Sequence, residues 1–206
     1  FLYLLSSISR NHFRIPNFFQ KIEKLISYFT KDIKINYSNI EVFNIFKNNK
    51  RILLYLFQEH IIVVDNTLIE IMFQNSYKCK NFVSYFYPEI KSFLDDQTNL
   101  LIESEVSDYF PHNAILFEEK RQIGENDSYL CTIIRNDSVD DLIPYLTQNK
   151  LSFASKVNSS IFETHSFLIN KNPTIVEYSA FFGSINIFKY LISKREKIMP
   201  SVWIYA

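Results

Sequence analysis

The scarcity of glycine is the feature that most limits the folds open to this chain. Only Gly124 and Gly183 occur among its 206 residues, whereas tight turns commonly use glycine for its positive φ angles. An all-β sandwich needs many such turns, so that class is disfavoured. The sequence therefore predicts an all-α fold, with helices joined by loops that contain Asn, Asp and Ser.

Apolar residues are plentiful and recur with helical spacing. The chain is 47% hydrophobic and 17% aromatic, which is enough for a packed core and argues against disorder. We expect Asn17 to cap the first clear amphipathic helix. Residues spaced three and four apart predict its buried face, which comprises Phe18, Ile22, Leu25, Ile26 and Phe29.

The same spacing predicts further short helices up to about residue 115. The asparagines at 48–49 separate two of them, and Asp65 is placed to cap the next. The apolar run 82–87 is expected to end before Pro88, because the residue before a proline disfavours the α region. Residues 95–110 are more acidic and show no clear periodicity. We therefore predict an irregular helical domain over residues 1–115.

The C-terminal part has clearer helix boundaries. Gly124 follows the good helix formers of 114–122 and is predicted to be a C-terminal cap. A helix over 129–134 is expected to stop at Arg135-Asn136-Asp137. We expect Pro144 to bend or shorten the helix that follows.

Two N-terminal signatures accompany these helices. Ser138 with Asp141 resembles a capping box in which Asp replaces Glu, and Thr174 with Glu177 forms a second box. Gly183 lies between two apolar helical stretches, where we predict a left-handed turn residue.

The stretch from Thr174 to Ile192 resembles an ankyrin repeat. The residues that fall in register with the repeat are Thr174, Val176, Ala180, Gly183, Ile187, Leu191 and Ile192. The stretch departs from the usual pattern at Ile175 and Glu177, which replace Pro and His. The usual hairpin sequence is also absent after the second helix. Val202 and Ala206 repeat the spacing of Val176 and Ala180.

A narrower resemblance covers roughly residues 160–206. The segments that carry it are Phe162–Thr164, Pro173–Tyr178, Ala180–Ser184 and Pro200–Trp203. They are similar to an ankyrin-associated domain of unknown function found in large protist protein families. The similarity also covers residues 118–147. It further includes the stretch from Ile45–Lys50 onward. It implies that residues 116–206 form ankyrin-like helix pairs, the first repeats of a solenoid, truncated at the C-terminus. The chain is thus expected to be a fragment.

Charge and hydropathy bear on the partner class. Twenty-two basic and twenty-two acidic residues give no net charge, which disfavours nucleic acid as a partner. The basic cluster at 194–197 is explained by its place after a helix C-terminus. No apolar run reaches the roughly 18 residues of a membrane span. Cys79 and Cys131 do not form a disulfide framework, so we expect a reducing, cytoplasmic location.

The sequence carries no pattern typical of an active site. The four histidines, His12, His60, His112 and His165, are not spaced as metal ligands. Phosphate-binding loops need clustered glycines, and none are present. We therefore predict no catalytic residue, no metal and no cofactor.

Two adjacent phenylalanines are the candidate for a binding site. Phe181 and Phe182 cannot both point into one seam, because neighbours on a helix lie about 100° apart. Either the preceding segment near Phe167 covers them, or one of them anchors a protein partner, with Lys189 and Tyr190 at the rim. The function predicted from the sequence is a non-catalytic protein-interaction scaffold.

The alternative function is a targeting or oligomerisation segment of a larger enzyme or adaptor. In either case, the apolar residues at the C-terminal end predict self-association of the chain.

Overall fold

The computed structural model describes residues 1–11, 17–76, 81–109, 112–194 and 200–205, and these are mostly helical. The all-α prediction is confirmed. Within these ranges there are no strands, only isolated antiparallel bridges between Asn49 and His165 and between Lys156 and Thr174. The helices are α1 (Leu2–Asn11), α2 (Phe18–Tyr28), α3 (Thr30–Asn36), α4 (Asn39–Phe46), α5 (Lys50–Gln58), α6 (Asn66–Ser76), α7 (Phe82–Tyr85), α8 (Tyr87–Ile90), α9 (Asp96–Val106), α10 (Ala114–Ile123), α11 (Tyr129–Arg135), α12 (Val139–Gln148), α13 (Ser166–Lys171), α14 (Ile175–Phe182), α15 (Ile185–Ser193) and α16 (Val202–Tyr205).

The chain forms two compact units. The first comprises residues 1–125 with 164–166, and the second comprises 126–163 with 167–206. Helix α10 belongs to the first of these units, and the domain boundary at 115/116 stays a prediction. Arg121 Nη1 donates to the carbonyl of Tyr85 and to Glu89 Oε2, at 3.1 and 2.6 Å. These bonds tie α10 to α7 and α8.

Short helices build the core of the first unit. Helix α1 packs against α2 and α4, α2 packs against α5, and α7 packs against α9. An aromatic cluster lies among them, with ring centroids 6.2 Å apart for Phe43 and Phe82, 4.9 Å for Phe82 and Phe86, and 5.4 Å for Phe57 and Phe86. These rings are buried, as expected for apolar residues at helical spacing.

Side-chain and glycine caps lie at the ends of several helices, among them the predicted ones at Asp65 and Gly124, and Asn49 within the predicted break also acts as a cap. Asn49 Oδ1 accepts from the Ile52 amide at 3.1 Å, and Asp65 Oδ1 accepts from the Leu68 amide at 2.8 Å. Gly124 ends α10 with φ of 72°, so its role as a C-terminal cap is confirmed. The stretch 95–110 also contains a helix, α9, whose first turn is capped by Asp95.

The prediction for α2 is wrong in two respects. Asn17 lies in the left-handed region with φ of 56° and makes no side-chain cap, because capping side chains point at the helix from extended backbone. Leu25 and Phe29 are each 41% exposed, so only Phe18, Ile22 and Ile26 form the buried face. Helical periodicity in the sequence does not indicate how much of the apolar face of α2 the neighbouring helices bury.

Two prolines lie within helices. Helix α7, which begins at Phe82, ends at Tyr85 and therefore before Pro88, as predicted. Pro88 itself lies in the first turn of the next helix, α8, where its missing N–H costs nothing. Pro144 lies inside α12, and the helix continues to Gln148. The predicted shortening of α12 is therefore wrong.

Helices of the second unit are arranged in pairs. Helix α11 packs against α12, and α14 packs against α15. Helix α11 also packs against α14, α12 against α15, and α14 against α16. Four features discussed above lie outside the described residues: His12, Cys79, Ala206 and most of the basic cluster at 194–197.

Candidate functional site

The predicted site lies on α14 and α15, and local sequence positions both helices. Thr174 Oγ1 accepts from the Glu177 amide at 3.2 Å, while Glu177 Oε2 accepts from the Thr174 amide at 2.7 Å. The predicted capping box is thus confirmed. Burial alone would raise the pKa of Glu177, but its hydrogen bonds, chiefly from the Thr174 amide, hold that pKa below the ordinary value.

Gly183 ends α14 in the left-handed region, with φ of 67°, as predicted. The Ser184 amide donates to the Ser179 carbonyl at 2.9 Å, and the Gly183 amide donates to the Ala180 carbonyl at 3.1 Å. This pattern is a Schellman motif, which satisfies carbonyls at the end of the helix. It turns the chain directly into α15.

Phe181 is a core residue. Its ring is 6% exposed and stacks on Phe167, with centroids 6.0 Å apart and planes 14° apart. Phe167 in turn contacts the ring of Tyr205 at 4.9 Å. The preceding segment therefore covers Phe181, and its ring is not available to a partner.

Phe182 lies at the surface and is half-buried. Its ring centroid is 4.7 Å from that of Tyr178 and 5.8 Å from the guanidinium carbon of Arg135. Arg135 is itself oriented by hydrogen bonds to the Asn126 carbonyl at 2.8 Å and to the Tyr178 hydroxyl at 3.1 Å. One face of Phe182 is thus packed on ordered groups, while the remainder of the ring meets solvent.

The other two predicted residues lie on α15. Lys189 is exposed, and Tyr190 is half-buried with its ring centroid 6.1 Å from that of Phe153. The ammonium group of Lys194 lies 5.4 Å from the Tyr190 ring. The ring of Tyr190 thus contacts Phe153 and Lys194, whereas the ring of Phe182 contacts Tyr178 and Arg135.

A second turn of the same construction lies between α11 and α12. Asp137 has φ of 53°, and the Ser138 amide donates to the Ile133 carbonyl at 3.2 Å. Ser128 caps α11, as Thr174 caps α14. Ser128, Asp137 and Ser138 therefore have the same spacing as Thr174, Gly183 and Ser184. That correspondence was available in the sequence, but the substitution of Asp for Gly concealed it.

Ser138 only partly fulfils the predicted capping box. Its hydroxyl donates to Asp141 Oδ2 at 2.7 Å, but it accepts no hydrogen bond from the amides of α12. The reason is that Ser138 follows a left-handed residue, and its ψ of 99° is lower than the 167° of Thr174.

The two turns are joined by hydrogen bonds that sequence reasoning missed. Asp137 Oδ2 and Oδ1 accept from the amides of Asn186 and Ile187, at 2.8 and 2.9 Å. Ser184 Oγ donates to the Ile134 carbonyl at 2.7 Å. Each helix pair thus satisfies backbone groups at the turn of the other.

Exposed apolar side chains occur on α15 and on α16. Ile185 and Ile192 are exposed on α15, and Trp203 is 80% exposed on α16. When the Ser138 and Ser184 turns are aligned, Ile192 corresponds to Leu146 of α12, which is buried. We name Ile185, Phe188, Ile192, Trp203 and Ile204 the end face.

Two residues of the second unit with ionisable side chains, Cys131 and Tyr178, are buried. Burial raises the pKa of the Cys131 thiol. Burial likewise raises the pKa of the Tyr178 hydroxyl. No group of three or more potential metal ligands occurs in the part of the chain that the structure describes. Among the same residues, no helix has the length and apolarity to cross a bilayer.

Comparison with known proteins identifies no relative of this chain: no family model, no curated protein and no solved structure matches it significantly. What this chain does must therefore be inferred from its own residues.

Proposed function

We propose that the second unit is a non-catalytic protein-binding scaffold of the ankyrin type, built from stacked helix pairs. The observation that carries the proposal is the repeated turn. Asp137-Ser138 and Gly183-Ser184 have the same backbone conformation and the same Schellman hydrogen bonds. Repeated units of this kind bury their apolar faces against one another rather than alone.

Helix contacts support this arrangement. Helix α11 packs against α14 and α12 packs against α15, so first helices meet first helices and second helices meet second helices. Helix α16 packs against α14, which is itself the first helix of a pair. In this proposal α16 is the first helix of a third pair. The Thr174-to-Ile192 resemblance described above is consistent with this assignment.

The binding surface that we propose is centred on Phe182. A ring held on one side by Tyr178 and Arg135 loses little conformational freedom on binding, and aromatic residues and arginine are enriched at binding hot spots. Lys189 and Tyr190 are retained as rim candidates because both remain accessible on α15. Phe181 is excluded from the surface because it is part of the core.

Site-specific photocrosslinking tests the proposal. A benzoyl-phenylalanine at position 182 is expected to capture a protein partner from cell extract, whereas the same group at the exposed Gln148 of α12 is not. Purified partner should then bind the Phe182→Ser chain more weakly than the unmodified chain. Equal capture at both positions would contradict a surface centred on Phe182.

The crosslinked mass also distinguishes the alternative function. A product that contains only two copies of this chain would favour an oligomerisation segment over a scaffold. The same protein, captured at position 182 in repeated experiments and lost with Phe182→Ser, would favour the scaffold.

A further inference from the structure

The first unit carries an apolar surface that its own helices leave uncovered. Phe1 and Leu4 are exposed on one side of α1, and Leu25 and Phe29 are exposed at the end of α2. The rings of Phe1 and Phe29 are in contact, with centroids 4.7 Å apart. Leu4 lies one turn after Phe1 and Leu25 one turn before Phe29, so the four side chains are continuous. We name them the N-terminal apolar patch.

Buried polar contacts fix which side of α1 faces outward. The Ser6 hydroxyl donates to the Ile45 carbonyl at 2.6 Å, and Asn49 Nδ2 donates to Ser9 Oγ at 2.9 Å. Rotating α1 to hide Leu4 would break both bonds and leave buried polar groups unsatisfied. These hydrogen bonds therefore keep the Leu4 side of α1 turned away from α4.

An ion pair fixes α2 in the same way. Glu23 Oε1 lies 2.7 Å from Arg51 Nη1, and both side chains are largely buried. The pair holds α2 on α5 and neutralises the acidic residue of α2. The outer side of this helix is therefore left with Lys21 and Lys24, both exposed.

The sequence around the patch is strongly basic, although the whole chain carries no net charge. Its acidic residues up to position 36 are Glu23 and Asp32. Its basic residues over the same stretch are Arg10, Arg14, Lys21, Lys24, Lys31 and Lys34. Of these, Arg10 on α1 and Lys21 and Lys24 on α2 are exposed, so the same two helices carry uncovered apolar side chains and accessible basic groups.

We propose that the N-terminal apolar patch, with Lys21 and Lys24, binds the surface of anionic lipid bilayers. Amphipathic helices bind such surfaces by burying apolar side chains at the level of the headgroups and by attracting anionic lipid with lysines. Tyr3 and Tyr28 are also exposed on α1 and α2, and tyrosine is favoured at this depth.

Charge and shape disfavour other occupants of the patch. A symmetric contact with a second copy would bring the same lysines together, and like charges repel. Single-stranded nucleic acid stacks on open aromatic faces, whereas the two rings of the patch, Phe1 and Phe29, contact each other and Leu4 and Leu25 have no ring. Acyl chains accommodate aliphatic and aromatic side chains alike.

Vesicle sedimentation with the full chain tests the proposal. We expect binding to vesicles of phosphatidylcholine with phosphatidylserine, little binding to phosphatidylcholine alone, and weaker binding at high salt. Leu4→Ser with Leu25→Ser should lower binding by roughly tenfold for each leucine. Lys21→Glu with Lys24→Glu should lower it by at least roughly 20-fold.

The matched control lies on α9 of the same unit. Leu100 and Leu101 are also exposed, so Leu100→Ser with Leu101→Ser makes the same two Leu-to-Ser changes elsewhere on the surface and should leave binding unchanged. Circular dichroism must show that all variants fold. Equal binding to the two vesicle types, or equal loss in the α9 control, would overturn the proposal.

A fluorescence reporter gives an independent readout. Trp203 is the single tryptophan and belongs to the second unit, so Tyr28→Trp in a Trp203→Phe background reports on the patch alone. A blue shift on addition of anionic vesicles is expected, whereas Leu101→Trp in the same background should show none. A chain that dimerises through Leu25 and does not bind vesicles would show that a second copy covers the patch.

Discussion

The Asp137 carboxylate caps a helix of the neighbouring pair, where its Oδ1 accepts from the Ile187 amide at 2.9 Å. Its Oδ2 accepts from the Asn186 amide at 2.8 Å. Ser184, the residue that precedes α15, makes no side-chain cap of its own. Asp137 therefore satisfies the first turn of α15 and places negative charge at its positive end.

Removal of the Asp137 carboxylate is expected to destabilise the second unit. Asp137→Ala should lower the free energy of unfolding by about 1–2 kcal/mol, as for loss of a helix cap. Asp137→Asn keeps one acceptor oxygen and tolerates a positive φ, so its effect should be smaller. Denaturant melts measure both. Asp140→Ala, at an exposed position of α12, is the control; an equal loss there would contradict the cap assignment.

The two glycines should differ in their sensitivity to substitution. A Cβ atom on Gly183 meets nothing within 4 Å, whereas one on Gly124 would lie 3.1 Å from Thr164 Oγ1 and 3.2 Å from Thr164 Cγ2. Gly183→Ala should cost about 1 kcal/mol through its positive φ alone, and Gly183→Val about 1–3 kcal/mol. Gly124→Ala should cost more than Gly183→Ala. Thermal melts would contradict this ordering if the two alanine variants had equal midpoints.

The two adjacent phenylalanines at the end of α14 should differ in how much stability the chain loses when each is changed to serine. Phe181→Ser removes a ring stacked on Phe167 and should cost several kcal/mol, roughly as core Phe→Ala changes do. Phe182→Ser should lower stability much less, because part of that ring already meets solvent. Calorimetry compares the two melting temperatures. A Phe182 variant that unfolds as readily as the Phe181 variant would place Phe182 in the core.

Acid should weaken the capping box of α14. The folded-state pKa of Glu177 lies below its ordinary value because of the hydrogen bonds from Thr174. The unfolded chain therefore binds the proton first, and this stabilisation is lost as pH falls through the folded-state pKa. Glu177→Gln should reduce stability near neutral pH and flatten the loss towards pH ~3. Urea midpoints measured across this range would contradict the assignment if both proteins lost stability in parallel.

The end face is expected to cause self-association. Trp203 and Ile192 are exposed. Leu146 of α12, the residue that corresponds to Ile192, is buried. Light scattering after size exclusion should show concentration-dependent dimers, and Ile192→Lys or Trp203→Ser should remove them. Tyr129→Ser, also at an exposed position, is the control. A chain that stays monomeric at high concentration would contradict this prediction.

Local features of the fold could be predicted from the sequence. The caps at Asp65 and Thr174, the helix break at residues 48–49 and the glycine caps at Gly124 and Gly183 are all predicted correctly. Each depends on hydrogen bonds or backbone angles within about one helical turn, so neighbouring residues carry the whole signal.

Burial was less predictable than helix position. Helical spacing assigned Leu25 and Phe29 to a buried face, and both are exposed. The same spacing could not separate Phe181 from Phe182, because the choice depends on where Phe167 places its ring. Nor does any local pattern indicate that Arg121 is buried and hydrogen-bonded to the Tyr85 carbonyl and Glu89.

The sequence by itself determined the all-α class, several helix ends and the turn at Gly183. Tertiary structure alone decided that Asp137 caps α15, that Arg135 packs on Phe182 and that the N-terminal apolar patch faces outward. These contacts join residues that are far apart in the chain. A local sequence pattern does not specify which distant residue will pack against a given side chain. Helix ends obey short-range hydrogen bonding, whereas surfaces and sites depend on which helices pack together.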